Sequence, residues 1–294
     1  MNPTLIELKQ NKPGFRHFIC SWLITGRENI LVDVGPSNSI DQLIHSLTEL
    51  GVNRVDRVLL THIHIDHAGG LAPFLDHFPM ARVVCHEKAI SHLVDPSKLW
   101  AGTRKTLGGD LADTYGPIRP VKKEWLVPHT EVKQKGLEIV ETPGHAAHHL
   151  CFIVEGFLFA GEAGGVHLKV RDSEYLRPAT PPVFLMNQYL ESIDRLMSHE
   201  TMPICYSHFR MAGSSHAMLR RLKRQLVLWE GIIKEEVSRG ENGVIERSLD
   251  ALLRRDPELK AFSALSPEDQ ERERFFMGNC IEGYLGFLSL PPAS

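Results

Sequence analysis

The chain of 294 residues is poor in cysteine, has no long apolar run and carries no block of one charge. Each shortage excludes something. The five cysteines, Cys20, Cys85, Cys151, Cys205 and Cys280, are odd in number, widely spaced and set mostly in apolar runs. They read as buried free thiols in a reducing compartment, not as a disulfide framework. No apolar stretch is long enough to span a bilayer, and the opening Met-Asn-Pro-Thr lacks a signal-peptide pattern, so the cytoplasm is the expected location and no membrane partner is expected. A formal net charge of -3, without a long basic block, argues against a nucleic-acid partner, because holding phosphates takes clustered positive charge. No Gly-x-Ser-x-Gly elbow points to a serine nucleophile. No internal repeat or low-complexity tract appears. What remains is ordinary globular composition, 43% hydrophobic and 23% charged, with room for one large domain and an extension.

Histidine is plentiful: sixteen residues, informative through their positions. The densest stretch is Thr61-His62-Ile63-His64-Ile65-Asp66-His67-Ala68-Gly69-Gly70, which follows the apolar run Val58-Leu59-Leu60. It reads as a buried strand running into a loop at a sheet edge, where α/β folds collect ligands. In extended chain, side chains at i and i+2 share a direction, so His62, His64 and Asp66 are expected to converge while His67 turns elsewhere. Imidazole and carboxylate are the usual donors for zinc, and imidazole also suits iron. Four such groups in six residues supply parts of two adjacent metal sites.

The stretch resembles the H-x-H-x-D-H motif of the metallo-β-lactamase-fold hydrolases. Further segments match that family in order: Val32-Asp33-Val34-Gly35, Thr142-Pro143-Gly144-His145, Phe159-Ala160-Gly161-Glu162 and Tyr206-Ser207-His208. The match runs from about His17 to about Arg210. The resemblance implies an αββα four-layer sandwich of the α/β class. It implies His62, His64 and His145 around one metal, Asp66, His67 and His208 around a second, and Glu162 between them. Asp66 doubles as proton shuttle; Asp33, Thr61 and His149 stand behind the ligands. Glu162 departs from the pattern, since the family normally has Asp there. The longer arm either still bridges or weakens the second site.

The expected cofactors are two divalent metal ions, zinc first, with iron or manganese accepted by the same donors. The expected reaction is hydrolysis of a small ester, thioester or lactone. The alternatives are a phosphodiesterase or ribonuclease of the same fold, suggested by Arg220 to Arg224, and a mononuclear iron dioxygenase of the persulfide type, kept open by Glu162. A non-catalytic binding protein on the same scaffold is the remaining reading.

Elsewhere, Ser39 to Leu50, Phe184 to Met197 and His216 to Arg239 have helical period. Residues 1 to about 35 read as antiparallel strands, and Leu150 to Ala160 as a hairpin. Residues 95 to 129 are too long for a plain connector and read as a loop shaping the substrate pocket. Tyr175, beside a Pro-rich loop, is the expected substrate contact. His86 and His92 read as structural. The composition shift near Ser214 divides the chain into a metal-binding domain, 1–212, and a helical extension, 213–294, which packs on the core or pairs with a second copy.

Overall fold

In the computed structural model, residues 2–289 are described; residue 1 and the last five residues of the expected extension lie outside that range. The chain opens with strands β1 (Thr4–Glu7), β2 (Cys20–Ile24) and β3 (Ile30–Val32), then helix α1 (Ile40–Glu49) and strand β4 (Arg57–Leu59). A one-turn helix α2 (Ile65–Ala68), helix α3 (Leu71–His77), strand β5 (Arg82–Cys85) and helix α4 (Glu87–Val94) follow. Next come α5 (Ser97–Leu107), α6 (Gly109–Tyr115) and strand β6 (Leu126–Pro128). These six strands form one sheet in the order β1-β2-β3-β4-β5-β6, antiparallel through β3 and parallel from there.

The second sheet begins with β7 (Leu137–Glu141), β8 (Leu150–Val154) and β9 (Phe157–Gly161). A hairpin of β10 (Val166–Val170) and β11 (Ser173–Arg177) precedes helix α7 (Met186–Met197), and β12 (Ile204–Tyr206) and β13 (Met211–Ala212) complete the sheet in the order β13-β12-β9-β8-β7. Helices α8 (Ser215–Ser238), α9 (Val244–Arg255) and α10 (Pro267–Ser289) end the described chain.

Why the two sheets stack follows from residue alternation. Cys20, Trp22 and Ile24 of β2, Ile30 and Val32 of β3, Leu59 of β4 and Val84 of β5 face one cluster. Leu150, Phe152 and Val154 of β8, Phe159 of β9 and Cys205 of β12 meet them there. The intervening residues, among them Leu23, Leu31, Val58, Val83, Leu158 and Ile204, face a second, larger cluster beneath the helices. Strands apolar on both faces must be covered on both sides, which gives helix, sheet, sheet, helix.

The terminal helices dock on this sandwich. In α8 the side chains of Leu219, Leu222, Leu226, Trp229 and Ile233 are fully buried. Asp256 accepts from Trp229 Nε1 (2.6 Å) and Gln225 Nε2 (2.7 Å). Helix α10 comes so close to the loop after β11 that a Cβ on Gly283 would stand 1.9 Å from the Thr180 carbonyl oxygen. Only glycine fits there.

Two expectations are corrected. Residues 95–129 are not a plain loop: α5 and α6 occupy most of the segment. Asp66 does not continue an extended run from His64, because the chain turns into α2 at Ile65; the i, i+2 argument covers His62 and His64 alone.

Candidate metal centre

The donors emerge at one edge of the sandwich. Asp33 follows β3, and Thr61 and His62 follow β4. From the other sheet, His145 follows β7, Glu162 follows β9 and His208 follows β12. The turn at Gly161 (φ +52°) lets Glu162 face inward; a Cβ there would stand 2.6 Å from His149 Nε2 and 2.9 Å from Thr61 Cβ.

Two donor sets result, each with its ligand atoms within 4.8 Å of one another: His62, His64, His145 and Glu162, and Asp66, His67 and His208. In the first, His64 Nδ1 is 3.0 Å from His62 Nε2 and 3.0 Å from His145 Nε2. Glu162 Oε2 is 3.2 Å from His62 Nε2 and 2.7 Å from His145 Nε2. In the second, Asp66 Oδ2 is 3.5 Å from His67 Nε2 and 3.6 Å from His208 Nε2. Glu162 reaches this set too, with Oε1 3.2 Å from His208 Nε2 and Oε2 3.6 Å from His67 Nε2.

These distances fit metal ions. Four donors at about 2.0–2.1 Å from a zinc ion stand about 3.3–3.4 Å from one another. The tautomers fit as well. His145 Nδ1 faces the Ala179 carbonyl (3.0 Å), His208 Nδ1 the Phe18 carbonyl (3.3 Å) and His67 Nδ1 the Asp33 carboxylate (3.0 Å). Thr61 Oγ1 donates to Asp33 and thereby accepts from His62 Nδ1 (3.0 Å). In these four the Nδ1 bond leaves Nε2 turned toward the centre, as in metal-bound imidazoles, whereas His64 turns Nδ1 there. His67 Nε2 is buried with no hydrogen-bond partner, which suits an atom reserved for a cation.

Asp33 is the hub of the support. It adopts φ +56°, a left-handed conformation that Asp tolerates better than most residues. Its carboxylate accepts from the Thr61 amide (2.8 Å), the Thr61 hydroxyl (2.8 Å), His67 (3.0 Å) and Ser207 Oγ (3.0 Å). His149 Nε2 accepts the Glu162 amide (3.2 Å), and its Nδ1 faces Thr142 Oγ1 (2.8 Å). His149 thus positions Glu162 and has no lone pair left for a metal. The Tyr189 hydroxyl donates to the Glu162 carbonyl.

Charge in the site is far from its solution state. Burial, joined by neighbouring histidines, pushes His62 and His64 well below the ordinary imidazole range. Burial also opposes the charged form of His67, but Asp66, Asp33 and Glu162 outweigh it and hold its pKa high. For Glu162, burial raises the pKa, and His145 and His208 pull it well below the usual range. Three carboxylates converging in a buried place demand positive charge.

A third cluster, His86, His129 and Glu141, also has its donor atoms within 4.8 Å. Its hydrogen bonding is that of a structural group. His86 Nδ1 accepts the Lys88 amide (3.1 Å) and caps α4, so its proton sits on Nε2. His129 Nε2 pairs with Glu141 Oε1 (3.0 Å), while His129 Nδ1 has no partner. Neither imidazole donates from its second nitrogen as a metal-bound one does.

Above the two donor sets lies a cavity of about 340 Å³. Its floor holds His64, Asp66, His145, Glu162 and His208; its walls come from α5, α6, the loop after β11, and α10. The 95–129 segment therefore does shape the pocket, through Leu99, Thr103, Leu107 and Tyr115. Tyr175 does not: it is fully buried, its hydroxyl faces Met277 Sδ (3.6 Å), and it is absent from the lining. Helix α10 covers it. Arg177, two residues on, reaches the cavity instead. So do His148, to which the sequence assigned no role, and Phe276, Asn279 and Cys280 of the extension, which no local signal marked.

Two adjoining His-and-carboxylate sets at one edge of an αββα sandwich define a metal-centre α/β protein. The chain belongs to the metallo-β-lactamase superfamily, whose family description matches residues 16–208. The metallo-β-lactamase fold-containing protein ST1585 of Sulfurisphaera tokodaii is 27% identical over 234 residues, 76% of this chain and 85% of that one. Its crystal structure superposes with a TM-score of 0.67 at 22% identity, covering 97% of this chain and 99% of that one. A hydroxyacylglutathione hydrolase of Aeromonas hydrophila is 29% identical over 147 residues, 48% of this chain and 44% of the relative. An atrochrysone carboxyl ACP thioesterase of Aspergillus chevalieri is 29% identical over 133 residues, 45% of this chain and 34% of the relative. Among the described residues no helix is long and apolar enough to cross a membrane.

Proposed function

We propose that the chain is a metal-dependent hydrolase of small acyl compounds: esters, thioesters or lactones. The observation that carries this is Glu162. One carboxylate touches the histidines of both donor sets at 2.7–3.6 Å, which supports a two-metal centre, zinc first among the candidates, at the floor of a small cavity. When bound, such a pair supplies an acidified water and an electrophile for the carbonyl under attack. The chain does the rest. His62, His64 and His145 hold one ion, and Asp66, His67 and His208 the other. Asp66, which lines the cavity, accepts a proton there. The largely apolar walls keep bulk water from the acyl group.

The cavity volume sits at the small end of ligand pockets, which favours a small molecule over a polymer. The basic run on α8 does not favour RNA. Arg221 pairs with Glu174 and Glu258, Lys223 pairs with Asp194, and none of Arg220 to Arg224 lines the cavity. The relatives named as a hydrolase and a thioesterase agree with acyl chemistry. The test is metal content together with turnover on a panel of esters, thioesters and lactones. Two ions per chain and activity lost on chelation are expected. Full esterase activity in metal-stripped protein overturns the reading, and one tightly held ion with oxygen uptake on a persulfide moves it to the dioxygenase.

A further inference from the structure

The cavity has a polar patch apart from its metal-binding floor. Arg177 closes β11 and lines the cavity although it is only 2% exposed. Its Nε donates to Glu273 and its Nη1 to the Pro178 carbonyl (3.2 Å). Among the described residues its Nη2 makes no hydrogen bond, yet it is not one of the sealed, unpartnered atoms. The guanidinium lies over the Phe276 ring at 5.4 Å, which fixes its plane. Glu273 is shared with Arg272, so two buried guanidinium groups meet one buried carboxylate; Asp269, 34% exposed, takes a second contact from Arg272. Two guanidinium charges thus meet one fully buried and one partly exposed carboxylate, and of these only Glu273 faces Arg177.

Asn279 lines the same cavity from α10, and its amide makes no hydrogen bond among the described residues. One turn earlier on the same helix, Phe276 lies against the Arg177 guanidinium, and Arg177 and Asn279 line the one cavity.

We propose that Arg177 Nη2 and the Asn279 amide form a carboxylate-binding subsite, so that the substrate is an acyl compound bearing a carboxylate remote from the bond that is cut. The proposal rests on the hydrolase reading above. A guanidinium held in place by Glu273, the Pro178 carbonyl and the Phe276 ring, with an unpaired N–H in a residue that lines the cavity, matches a carboxylate by charge and by geometry. A site with such a donor discriminates against an isostere that leaves it unpaired.

The experiment compares two p-nitrophenyl esters on metal-loaded protein: the glutarate hemiester, and the analogue in which an isopropyl group replaces the free carboxylate. The expected result is a kcat/KM at least about tenfold higher for the hemiester. In Asn279→Asp, whose new charge repels the carboxylate, the preference disappears and the fold is kept, because the Asn279 side chain makes no hydrogen bond among the described residues. Equal rates on the two esters, or an unchanged ratio in Asn279→Asp, overturns the subsite. If neither ester is cut, glutarate itself decides. A thermal shift in the wild type that Asn279→Asp abolishes keeps the subsite while the hydrolase reading fails, and the same shift in both proteins, or none, overturns it.

Discussion

The floor of the cavity and its far wall are both built from buried charge, and they are built in opposite ways. At the floor, imidazole lone pairs and carboxylate oxygens point at one another with no proton between most of them. At the wall, Arg177, Glu273 and Arg272 pair donors with an acceptor inside the protein, with Arg177 Nη2 left without a partner among the described residues. The His86, His129 and Glu141 group resembles the wall: its bonds are largely met. Unmet acceptors mark a place kept for a cation, whereas met ones mark a fastening. Residue type alone does not separate the two.

The sharpest way to break the comparison is at the wall. Glu273→Gln strands two buried guanidinium groups and is expected to cost about 3–5 kcal/mol in denaturant unfolding, while metal stoichiometry stays at two. Loss of metal without loss of stability would merge wall and floor into one unit. Acid acts on the same residue. Burial alone would raise the Glu273 pKa, but Arg177 and Arg272 bring it down to about 2 from 4.5. A carboxyl depressed on folding stabilises fully above its unfolded pKa, and that contribution fades as pH falls from about 4.5 through about 2. Unfolding free energy measured across that window is expected to drop on the order of 3 kcal/mol more in the wild type than in Glu273→Gln.

The floor should fail differently. Asp33→Asn removes an acceptor on which four hydrogen bonds converge and is expected to weaken metal binding by about 10–100-fold, read by calorimetry. Glu162→Asp is a finer probe. Tyr189 holds the Glu162 carbonyl, so the backbone does not advance to make up for the shorter arm. Elemental analysis is expected to fall from two ions toward one; two ions retained at full affinity would remove Glu162 from its bridging role. The smallest effect belongs to the surface. Arg220 and Arg224 are exposed and away from the cavity, and changing both to Ala is expected to move stability by less than about 0.5 kcal/mol and to leave RNA affinity, at low salt, undetectable before and after.

Much of the floor was legible because its chemistry is concentrated. His62, His64, Asp66 and His67 lie within six residues, and the remaining donors each follow an apolar strand in a fixed order. The strands themselves were legible as apolar runs, but not which face meets the other sheet, because Leu150 to Val154 is apolar at every position. The wall was not. Tyr175 and Arg177 share a strand face, so choosing the right face still left the wrong residue: α10, about a hundred positions later, covers both, sealing the tyrosine against Met277 while the arginine still lines the cavity. Residues 95–129 hid two helices because polar composition masked a narrow apolar stripe. The His86, His129 and Glu141 group joins three segments that no spacing connects.

The convergence on Asp33 also sets an order of assembly. Its four hydrogen bonds come from residues 61, 67 and 207, so the clasp between the two sheets waits for a strand far down the chain. As the polypeptide leaves the ribosome, His62, His64, His145 and Glu162 are all present before His208 has been made, and Asn279 comes later still. One donor set is therefore complete in sequence while the other is still one residue short, and the cavity wall is finished only when α10 lies down over β11.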